Sequence, residues 1–147
     1  MADQSESMTV NIVTPDGVVY DHHANLIVAS TISGNIGIMS NHEPIIAPLK
    51  IDEVRVKRPD SPDHEDSIAV NGGFLEFSNN LVSIVANSAE RAINIDLRRA
   101  KYAKEKAEKK IQTAKEKHNV DDLDRAEVSL RKAINRINVS SHEDTKL

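Results

Sequence analysis

The sequence contains no cysteine and no tryptophan, and its only aromatic residues are two phenylalanines and two tyrosines. Without cysteine the chain can form no disulfide, no thiolate metal site and no cysteine nucleophile. With so few aromatic side chains, a hydrophobic core has to be built mainly from Ile, Val, Leu and Ala. This composition limits how tightly any peripheral element can be anchored.

Long hydrophobic runs are also missing. No segment approaches the roughly 20 apolar residues of a membrane-spanning helix, so no direct membrane insertion is expected. The stretch of residues 1–7 is polar, and no signal peptide is expected there. The sequence has no G-x-x-x-x-G-K-[ST], H-E-x-x-H or G-x-S-x-G motif. These absences predict a non-catalytic chain that reaches a membrane only through a partner.

Charge divides the chain into two parts. Residues 1–95 hold 5 Lys+Arg against 13 Asp+Glu, a net charge of −8, whereas residues 96–147 hold 14 against 10, a net charge of +4. Two modules joined near residue 95 are therefore expected. Nucleic acid is not an expected partner, because the acidic part would repel phosphate and no aromatic platform interleaves with the basic residues.

Short β-branched runs with turn sequences between them dominate the first module. The predicted strands are residues 8–13, 18–20, 25–30, 36–39, 45–49, 51–58, 67–70, 73–77 and 81–86. Turn chemistry is clear at residues 14–17 (TPDG) and 71–72 (NG). His22 and His23 fall on a strand and point to opposite faces, so no metal site is expected. Strands of this length and spacing indicate an antiparallel sandwich or barrel.

The hydrophobic period changes to steps of three and four from Leu97, which indicates a helix that Asn94 or Asp96 can cap. Its apolar face is Ala100, Ala103, Ala107, Ile111 and Ala114. After His118-Asn119 a second helix is expected, capped by Asp121 or Asp122. Its apolar face is Leu123, Ala126, Leu130, Ala133, Ile134 and Ile137.

The predicted fold class is therefore α+β, with an antiparallel β-sandwich in residues 1–92 followed by an antiparallel two-helix hairpin in residues 93–147. The seam of the hairpin is mostly alanine on the first helix, and each buried methyl group contributes only about 0.8 kcal/mol. Such a hairpin should dock weakly, so that it can leave the sandwich.

One stretch is more specific than the rest. Residues 34–50 read GNIGIMSNHEPIIAPLK, which is consistent with an ordinary β-turn-β unit. The stretch also closely resembles the G-E-x-G-I-(L/M)-P-x-H-x-P-(L/I)-x-x-x-L-K signature of the epsilon subunit of bacterial F-type ATP synthase. It departs from that signature at Asn35, where the family usually has Glu, and at Ser40, where it usually has Pro. The resemblance extends over residues 8–139.

The resemblance implies a rotor component of the central stalk, peripheral on the cytoplasmic face of the membrane, that couples proton flow to ATP synthesis. The sandwich is expected to bind the gamma subunit and the c-subunit ring, with Asn35, Ile38, Met39 and His42 at the rotor interface. His42 has an alternative role in a hydrogen bond that stabilises the turn. The basic hairpin is expected to inhibit ATP hydrolysis by meeting an acidic segment of the catalytic β subunits. The cations assigned to that contact are Arg98, Lys101, Lys109 and Lys110, for which a solvated face is the alternative.

Residues 95–100, IDLRRA, fit the I/L-D-x-x-R-A pattern of epsilon subunits that bind ATP. The resemblance assigns a nucleotide site to Glu90, Ile95, Asp96, Arg99, Ala100 and Arg136. Lys106 and Lys132 stand where arginines are expected, and lysine lacks the bidentate geometry, so weaker binding is expected. No cofactor is required, and ATP is expected as a regulatory ligand. The alternative is that Asp96 only caps the helix.

Two other classes of protein fit part of this pattern. One is a free-standing nucleotide-sensing protein with the same two modules, which would not copurify with other synthase subunits. The other is a generic sandwich adaptor, in which loss of residues 34–49 would leave the coupling of a membrane ATPase unchanged.

Overall fold

The computed structural model describes residues 7–61 and 63–142, so the first six and last five residues of the two predicted domains lie outside it. A sandwich of eight strands is followed by a single 3-10 turn, Ala92–Asn94, and two helices. The strands are β1 (Met8–Thr14), β2 (Gly17–Ala24), β3 (Leu26–Thr31), β4 (Gly34–Ile38), β5 (Ile45–Lys57), β6 (Glu65–Ser78), β7 (Leu81–Ala86) and β8 (Ala89–Arg91). The helices are α1 (Leu97–Glu116) and α2 (Val120–Ser141). The predicted α+β class is confirmed.

The strands follow the order β2-β1-β7-β6-β5-β3-β4, and β8 pairs with β6. Strands β1 and β7 run parallel, and the other pairs are antiparallel. Along β1, the alternate side chains Met8, Val10 and Ile12 are fully buried, as the period of two requires. Equivalent positions on the other strands complete one aliphatic core with Tyr20 and Phe77 as its aromatic members.

Two predicted strand boundaries are wrong. Residues 45–49 and 51–58 were expected as separate strands, as were residues 67–70 and 73–77, but the structure has the continuous strands β5 and β6. Their pairing keeps one register from Ile45 opposite Phe77 to Lys57 opposite Glu65. The Asn-Gly sequence at residues 71–72 therefore bends β6 and does not reverse it.

Glycine is required at residue 73, directly after this Asn-Gly pair. Gly73 has a φ of +130°, and a Cβ there would lie 2.1 Å from the carbonyl oxygen of Val85. The same bend is where the neighbour of β6 changes from β7 to β8. The backbone NH of Asn71 donates to the carbonyl oxygen of Ser88 at 2.9 Å, and that of Asn87 donates to Gly72 at 3.1 Å. These two bonds satisfy backbone groups between the stretch of β6 that pairs with β7 and the stretch that pairs with β8.

Side-chain caps define both helix starts. Asp96 caps α1 and accepts a hydrogen bond from the backbone NH of Arg99, as one of the two predicted alternatives states. The cap of α2 is Asn119, which accepts from the NH of Asp122, so the prediction of Asp121 or Asp122 is wrong by two or three positions. Those two aspartates occupy the first helical turn, where their charge favours the positive end of the helix dipole.

One carboxylate in the sandwich is surrounded by donors. Tyr20 Oη donates to Asp66 Oδ2 at 2.6 Å, and both residues are buried. Arg58 Nε lies 3.4 Å from Oδ2 and His64 Nε2 lies 3.2 Å from Oδ1 of the same aspartate. Arg91, the last residue of β8, lies over the Tyr20 ring at 5.3 Å. The cluster joins β2, β6 and β8 just before the chain leaves the sandwich.

The titration of this cluster follows from its contacts. Burial by itself would raise the pKa of Asp66, but the Tyr20 hydrogen bond and the nearby cations hold that pKa below its usual value. Burial and the contact with Asp66 raise the pKa of Tyr20 well above its usual range. The ionised aspartate therefore stabilises the fold above about pH 3.9, and this contribution is lost as the pH falls through the lower folded-state pKa.

We predict that Tyr20→Phe lowers the free energy of unfolding by about 1.5–3 kcal/mol at pH 7, because it removes a hydrogen bond to a charged, buried acceptor. The deficit should shrink as the pH falls through the lowered folded-state pKa of Asp66, where the aspartate becomes protonated. Urea unfolding at pH 7 and pH 2.5 measures both effects. Tyr102→Phe is the matched control, since Tyr102 is 68% exposed and should be neutral. A deficit of the same size at both pH values would contradict the role given to ionised Asp66.

Candidate functional site

The hairpin is held together by alanines at intervals of seven. Ala100, Ala107 and Ala114 of α1 are buried, and Ala126 and Ala133 of α2 are buried opposite them. This seam confirms the predicted faces at these positions. Ile134, which was also assigned to the face of α2, is 39% exposed and lies beside the seam.

Helix α2 provides the contact between the hairpin and the sandwich. Val139 is fully buried and clusters with Ala69 of β6, with Ala92 of the 3-10 turn and with the half-buried Ile95. Asn135 Nδ2 donates to the carbonyl oxygen of Val70 at 3.4 Å. The first half of β6 is therefore buried on both faces, by the core on one side and by α2 on the other. This contact fixes where the remaining side chains of the hairpin lie.

An open cleft of about 930 Å³ lies where α1, α2 and the sandwich meet. Its lining comes from both helices, from the segment around β8 and from the β1–β2 turn. The lining residues are Asp16, Asn71, Ser88, Ala89, Glu90, Arg98, Arg99, Tyr102, Ala103, Lys132 and Arg136. Four of these side chains are cationic and two are acidic, so the cleft has an excess of positive charge.

One of the two acids is already engaged. Arg136 Nε donates to Glu90 Oε2 at 2.7 Å, and Nη2 lies 3.5 Å from the other carboxylate oxygen. This ion pair bridges α2 and β8, and Arg136 is the more buried partner. Arg98, Arg99 and Lys132 supply the other positive charges of the lining. A multiply charged anion matches this arrangement better than a neutral ligand does.

The structure brings some of the predicted nucleotide residues together. Glu90, Arg99, Lys132 and Arg136 line the cleft. Lys106 does not: it lines a separate groove farther along the hairpin together with Lys109, Lys110 and Arg125.

The three other predicted nucleotide residues take part in the fold itself. Ile95 packs against Val139 and its neighbours, and Ala100 is buried in the helix seam. Asp96 Oδ1 accepts from the backbone NH of Arg99 at 3.2 Å as the cap of α1. A contact of these residues with ATP stays a prediction.

Asp16 and Tyr102 are among the cleft residues that the sequence analysis did not predict. Tyr102 lies three residues beyond Arg99, so helical spacing could have placed it on the same face. Asp16 is far from the helices in the sequence and enters the cleft only because the β1–β2 turn lies near α1. Arg98 was assigned to the contact with the catalytic subunits, and it is exposed at the rim of this same cleft.

The segment predicted to contact the rotor forms β4 and the loop that follows it. Ile38 is fully buried in the core, so its side chain supports this segment from inside. Asn35 is exposed and accepts a hydrogen bond from Ser30 Oγ at 2.8 Å. Met39 is 62% exposed. Of the four predicted residues, Asn35 and Met39 thus offer exposed surface.

Hydrogen bonds hold the loop after β4 in place. His42 Nδ1 donates to the carbonyl oxygen of Glu43 at 2.7 Å, and its ring meets the Phe77 ring edge-on at 5.8 Å. The NH of Asn41, which has a φ of +66°, donates to Asn80 Oδ1 at 2.7 Å. His42 therefore has the turn-stabilising role that was one of its two alternatives, and its contact with a rotor partner stays a prediction.

A row of apolar side chains crosses the outer face of the sheet. Pro48, Phe74, Val85, Val13 and Val18 lie directly opposite one another on five neighbouring strands. Phe74 and Val85 are each 60% exposed, and Val18 is 64% exposed. We call this row the apolar band. Pro48, Phe74, Val85 and Val13 each adjoin a core residue, so strand alternation points them outward. Val18 is two positions before the buried Tyr20, and it lies on the outer face because the pairing of β1 with β2 shifts register between Ile12 and Val13. Only the pairing register reveals that the five are contiguous.

Two family models match the chain. The beta-sandwich domain of the ATP synthase delta/epsilon chain matches residues 7–92, and the long alpha-helix domain of the same chain matches residues 94–141.

Curated relatives match over almost their whole length. The ATP synthase epsilon chain of Latilactobacillus sakei is 58% identical over 142 residues, which cover 97% of this chain and 98% of the relative. That of Lacticaseibacillus casei is 60% identical over 141 residues, which cover 96% and 99%. That of Levilactobacillus brevis is 54% identical over 142 residues, which cover 97% and 100%.

Solved structures share the fold. A chain in the cryo-EM structure of the Euglena gracilis mitochondrial ATP synthase, which contains OSCP, F1 and the c-ring, superposes with a TM-score of 0.76 at 19% identity. The match covers 93% of this chain and 82% of that one. With both modules matched in order and relatives above half identity along the full length, the chain belongs to the delta/epsilon chain family of ATP synthase, among the bacterial epsilon chains.

Proposed function

We propose that this chain is the central-stalk epsilon subunit that couples proton translocation to ATP synthesis and restrains ATP hydrolysis through its helical hairpin. It carries out no chemistry itself and acts by binding other subunits. The observation that carries the proposal is the basic hairpin, with its seam of alanines, on an acidic sandwich in a chain of this family. Neither described helix has the length and apolarity needed to cross a membrane. The proposed position, at the cytoplasmic side of the complex and bound through partner subunits, rests on the family to which the chain belongs.

The apolar band is the surface proposed for the gamma subunit. A row of five apolar side chains on neighbouring strands, four of them exposed and Val13 half-buried, is typical of an interaction surface. It lies on the part of the sheet paired with β7, while α2 covers the part paired with β8. Gamma can thus bind while the hairpin is docked. The loop after β4, with Met39 exposed, is the surface proposed for the c ring.

The hairpin is the element proposed to contact the catalytic β subunits. The four cations assigned to that contact, Arg98, Lys101, Lys109 and Lys110, are all exposed on α1. Their charges repel one another and are offset along the helix by few ion pairs, of which Lys104 with Glu108 at 3.8 Å is an example. An acidic partner surface would relieve that repulsion. The docked position described above is then the non-inhibiting one.

The cleft is proposed as a regulatory ATP site. ATP supplies the multiply charged anion that the excess of cations favours, and Tyr102 offers an exposed aromatic face at the rim for the base. The walls come from both modules, so ATP would bind the docked hairpin and favour it. Glu90 would compete with phosphate for Arg136, which keeps the affinity low. Lys132 contributes charge without the bidentate geometry of arginine.

For the rotor contacts, we predict that Phe74→Ser weakens capture of the gamma subunit by about tenfold or more, the effect of losing an interface anchor. Val120→Ser, at another exposed apolar position outside the band, should have no effect. Met39→Asp should reduce assembly with the c ring and spare gamma binding. All three sites are exposed, so folding is retained. Ile38→Asp is unsuitable, because it places a charge in the core. Equal gamma capture by the Phe74 and Val120 variants would remove the band from this interface.

For inhibition, we predict that ending the chain after Ala92 raises ATP hydrolysis by the assembled complex. The sandwich should remain folded, because every described member of the larger core cluster lies between Met8 and Ala89. Steady-state hydrolysis measured over a range of ATP concentrations tests this. Lys109→Gln with Lys110→Gln in the full chain should reproduce part of the rise, if charge makes the contact. Activity that is unchanged by truncation at every ATP concentration would contradict an inhibitory hairpin.

For ATP, calorimetric titration of the isolated full chain should show binding that Arg99→Ala or Lys132→Ala weakens by about tenfold, the loss of one charge-assisted hydrogen bond. Lys106→Ala is the matched control, since that lysine lies outside the cleft. Asp96→Ser retains a capping hydroxyl and removes only the carboxylate, so weaker binding in that variant would assign Asp96 to the base. Identical heats for Arg99→Ala and Lys106→Ala would exclude the cleft.

A further inference from the structure

The residue that caps the C-terminus of α2 contacts the sandwich through a side chain that can carry a charge. His142 is this C-cap, and its Nδ1 contacts Glu53 Oε2 of β5. Glu53 is largely buried, at 18% side-chain exposure, and also accepts a hydrogen bond from Ser67 Oγ of β6. The carboxylate is thus held in a fixed position by the sandwich, and only its His142 contact reaches across to the hairpin.

The surroundings of this pair are charged but locally balanced. The groups that face it are Glu53, Arg55 and Lys57 of β5, Glu65 and Asp66 of β6, Arg91 of β8, and Asp63 and His64 of the loop before β6. Arg55 lies 3.7 Å from Glu53 and 3.6 Å from Glu65. His64 pairs with Asp66 at 3.2 Å, and Arg91 lies 3.9 Å from the same carboxylate. His64 and its partner both belong to the sandwich, so their pairing does not bridge the modules.

We propose that His142 and Glu53 form a proton-dependent clamp that holds the hairpin on the sandwich. A protonated imidazole pairs with the carboxylate as an ion and also suits the negative end of the α2 dipole, whereas a neutral imidazole can donate only an uncharged hydrogen bond from Nδ1. Protonated His142 gains its charged partner only in the docked hairpin, so proton uptake and docking favour each other. Docking is therefore strengthened when His142 is protonated, and this contribution is lost when the imidazole is neutral.

The other contacts between the hairpin and the sandwich stabilise docking whether or not His142 is protonated. Val139 packs against apolar side chains, Asn135 bonds a backbone carbonyl, and Arg136 pairs with Glu90. None of these three contacts involves a histidine. An ion pair of partly exposed groups changes an equilibrium by about two- to fivefold. The clamp therefore adjusts a docking equilibrium that the apolar contact establishes, and it is a property of the isolated chain, independent of the proposed function.

The absence of cysteine provides the assay. Val139→Cys places the only thiol of the chain at a fully buried docking position. Its rate of modification by a soluble disulfide reagent, divided by the rate for the urea-unfolded chain at the same pH, measures how often the hairpin leaves the sandwich. We expect this protection to fall about two- to fivefold between pH 5.5 and pH 8.0. Circular dichroism at both pH values shows that the helices themselves persist.

Three further variants of the Val139→Cys chain distinguish an effect of His142 protonation from an effect of its side-chain shape. His142→Asn should match the parent at pH 8.0 and show no pH dependence. His142→Lys keeps a permanent charge and should stay protected at both pH values. His64→Asn should retain the full pH dependence. The clamp is overturned if the dependence is absent in the parent, survives His142→Asn or disappears in His64→Asn. It is also overturned if His142→Asn is much less protected than the parent at pH 8.0, which would indicate a structural role.

Discussion

The burial of β6 on both faces is the constraint on which the two-module arrangement depends. Its first half has the aliphatic core on one side and α2 on the other, and this is where Ala69 and Val139 meet. Small side chains are needed on that outer face, because a larger one would hold the helix away from the sheet. Burying one valine contributes about 1.5–3 kcal/mol. The apolar part of the docking contact is therefore small, and the polar contacts of Asn135, Arg136 and His142 add to it.

The two modules also attract each other through opposite charges. The sandwich carries an excess of acids and the hairpin an excess of bases, and two ion pairs join them, Arg136 with Glu90 and His142 with Glu53. The two basic residues lie three positions before and three positions after Val139, which places the apolar contact between them. On α1, Arg98 and Arg99 line the cleft, whereas Lys101, Lys109 and Lys110 are exposed. One helix therefore attaches the hairpin to the sandwich, and the other divides its charge between the cleft and the exposed surface.

Sequence reasoning captured the fold where periodicity is local. The seam of Ala100, Ala107 and Ala114 follows from steps of seven, and the cap at Asp96 follows from its position before the first helical turn. It failed where a turn sequence was overridden by pairing. The Asn-Gly pair at residues 71–72 is a good hairpin signal, but unbroken pairing with β5 on one side and with β7 and β8 on the other keeps the strand extended. Local turn preference is weaker than pairing on both sides.

Only part of the candidate site could be predicted from the sequence, because contacts between distant segments decide which residues lie together. Motif matching named Arg99 and Arg136, which the fold brings into one cleft. It could not separate Lys132, which lines that cleft, from Lys106, which does not, because the two differ only in where the hairpin crosses the sandwich. The contiguity of the apolar band was hidden in the same way, since it exists only through the register of five strands. Residues joined by one helix can be predicted, but those joined by docking or register require the structure.

Binding of an anion in the cleft and docking of the hairpin on the sandwich are coupled. The walls of the cleft come from α1, α2 and the sandwich, so it exists only while the hairpin is docked. An anion that binds there stabilises docking, and by reciprocity any contact that stabilises docking strengthens the binding of the anion. Glu90 would oppose this linkage locally, because a phosphate group in the proposed site would have to displace it from Arg136. His142 supports it from the opposite end of the contact. A proton on that side chain and an anion in the cleft therefore act in the same direction, although they share no atom and no charge.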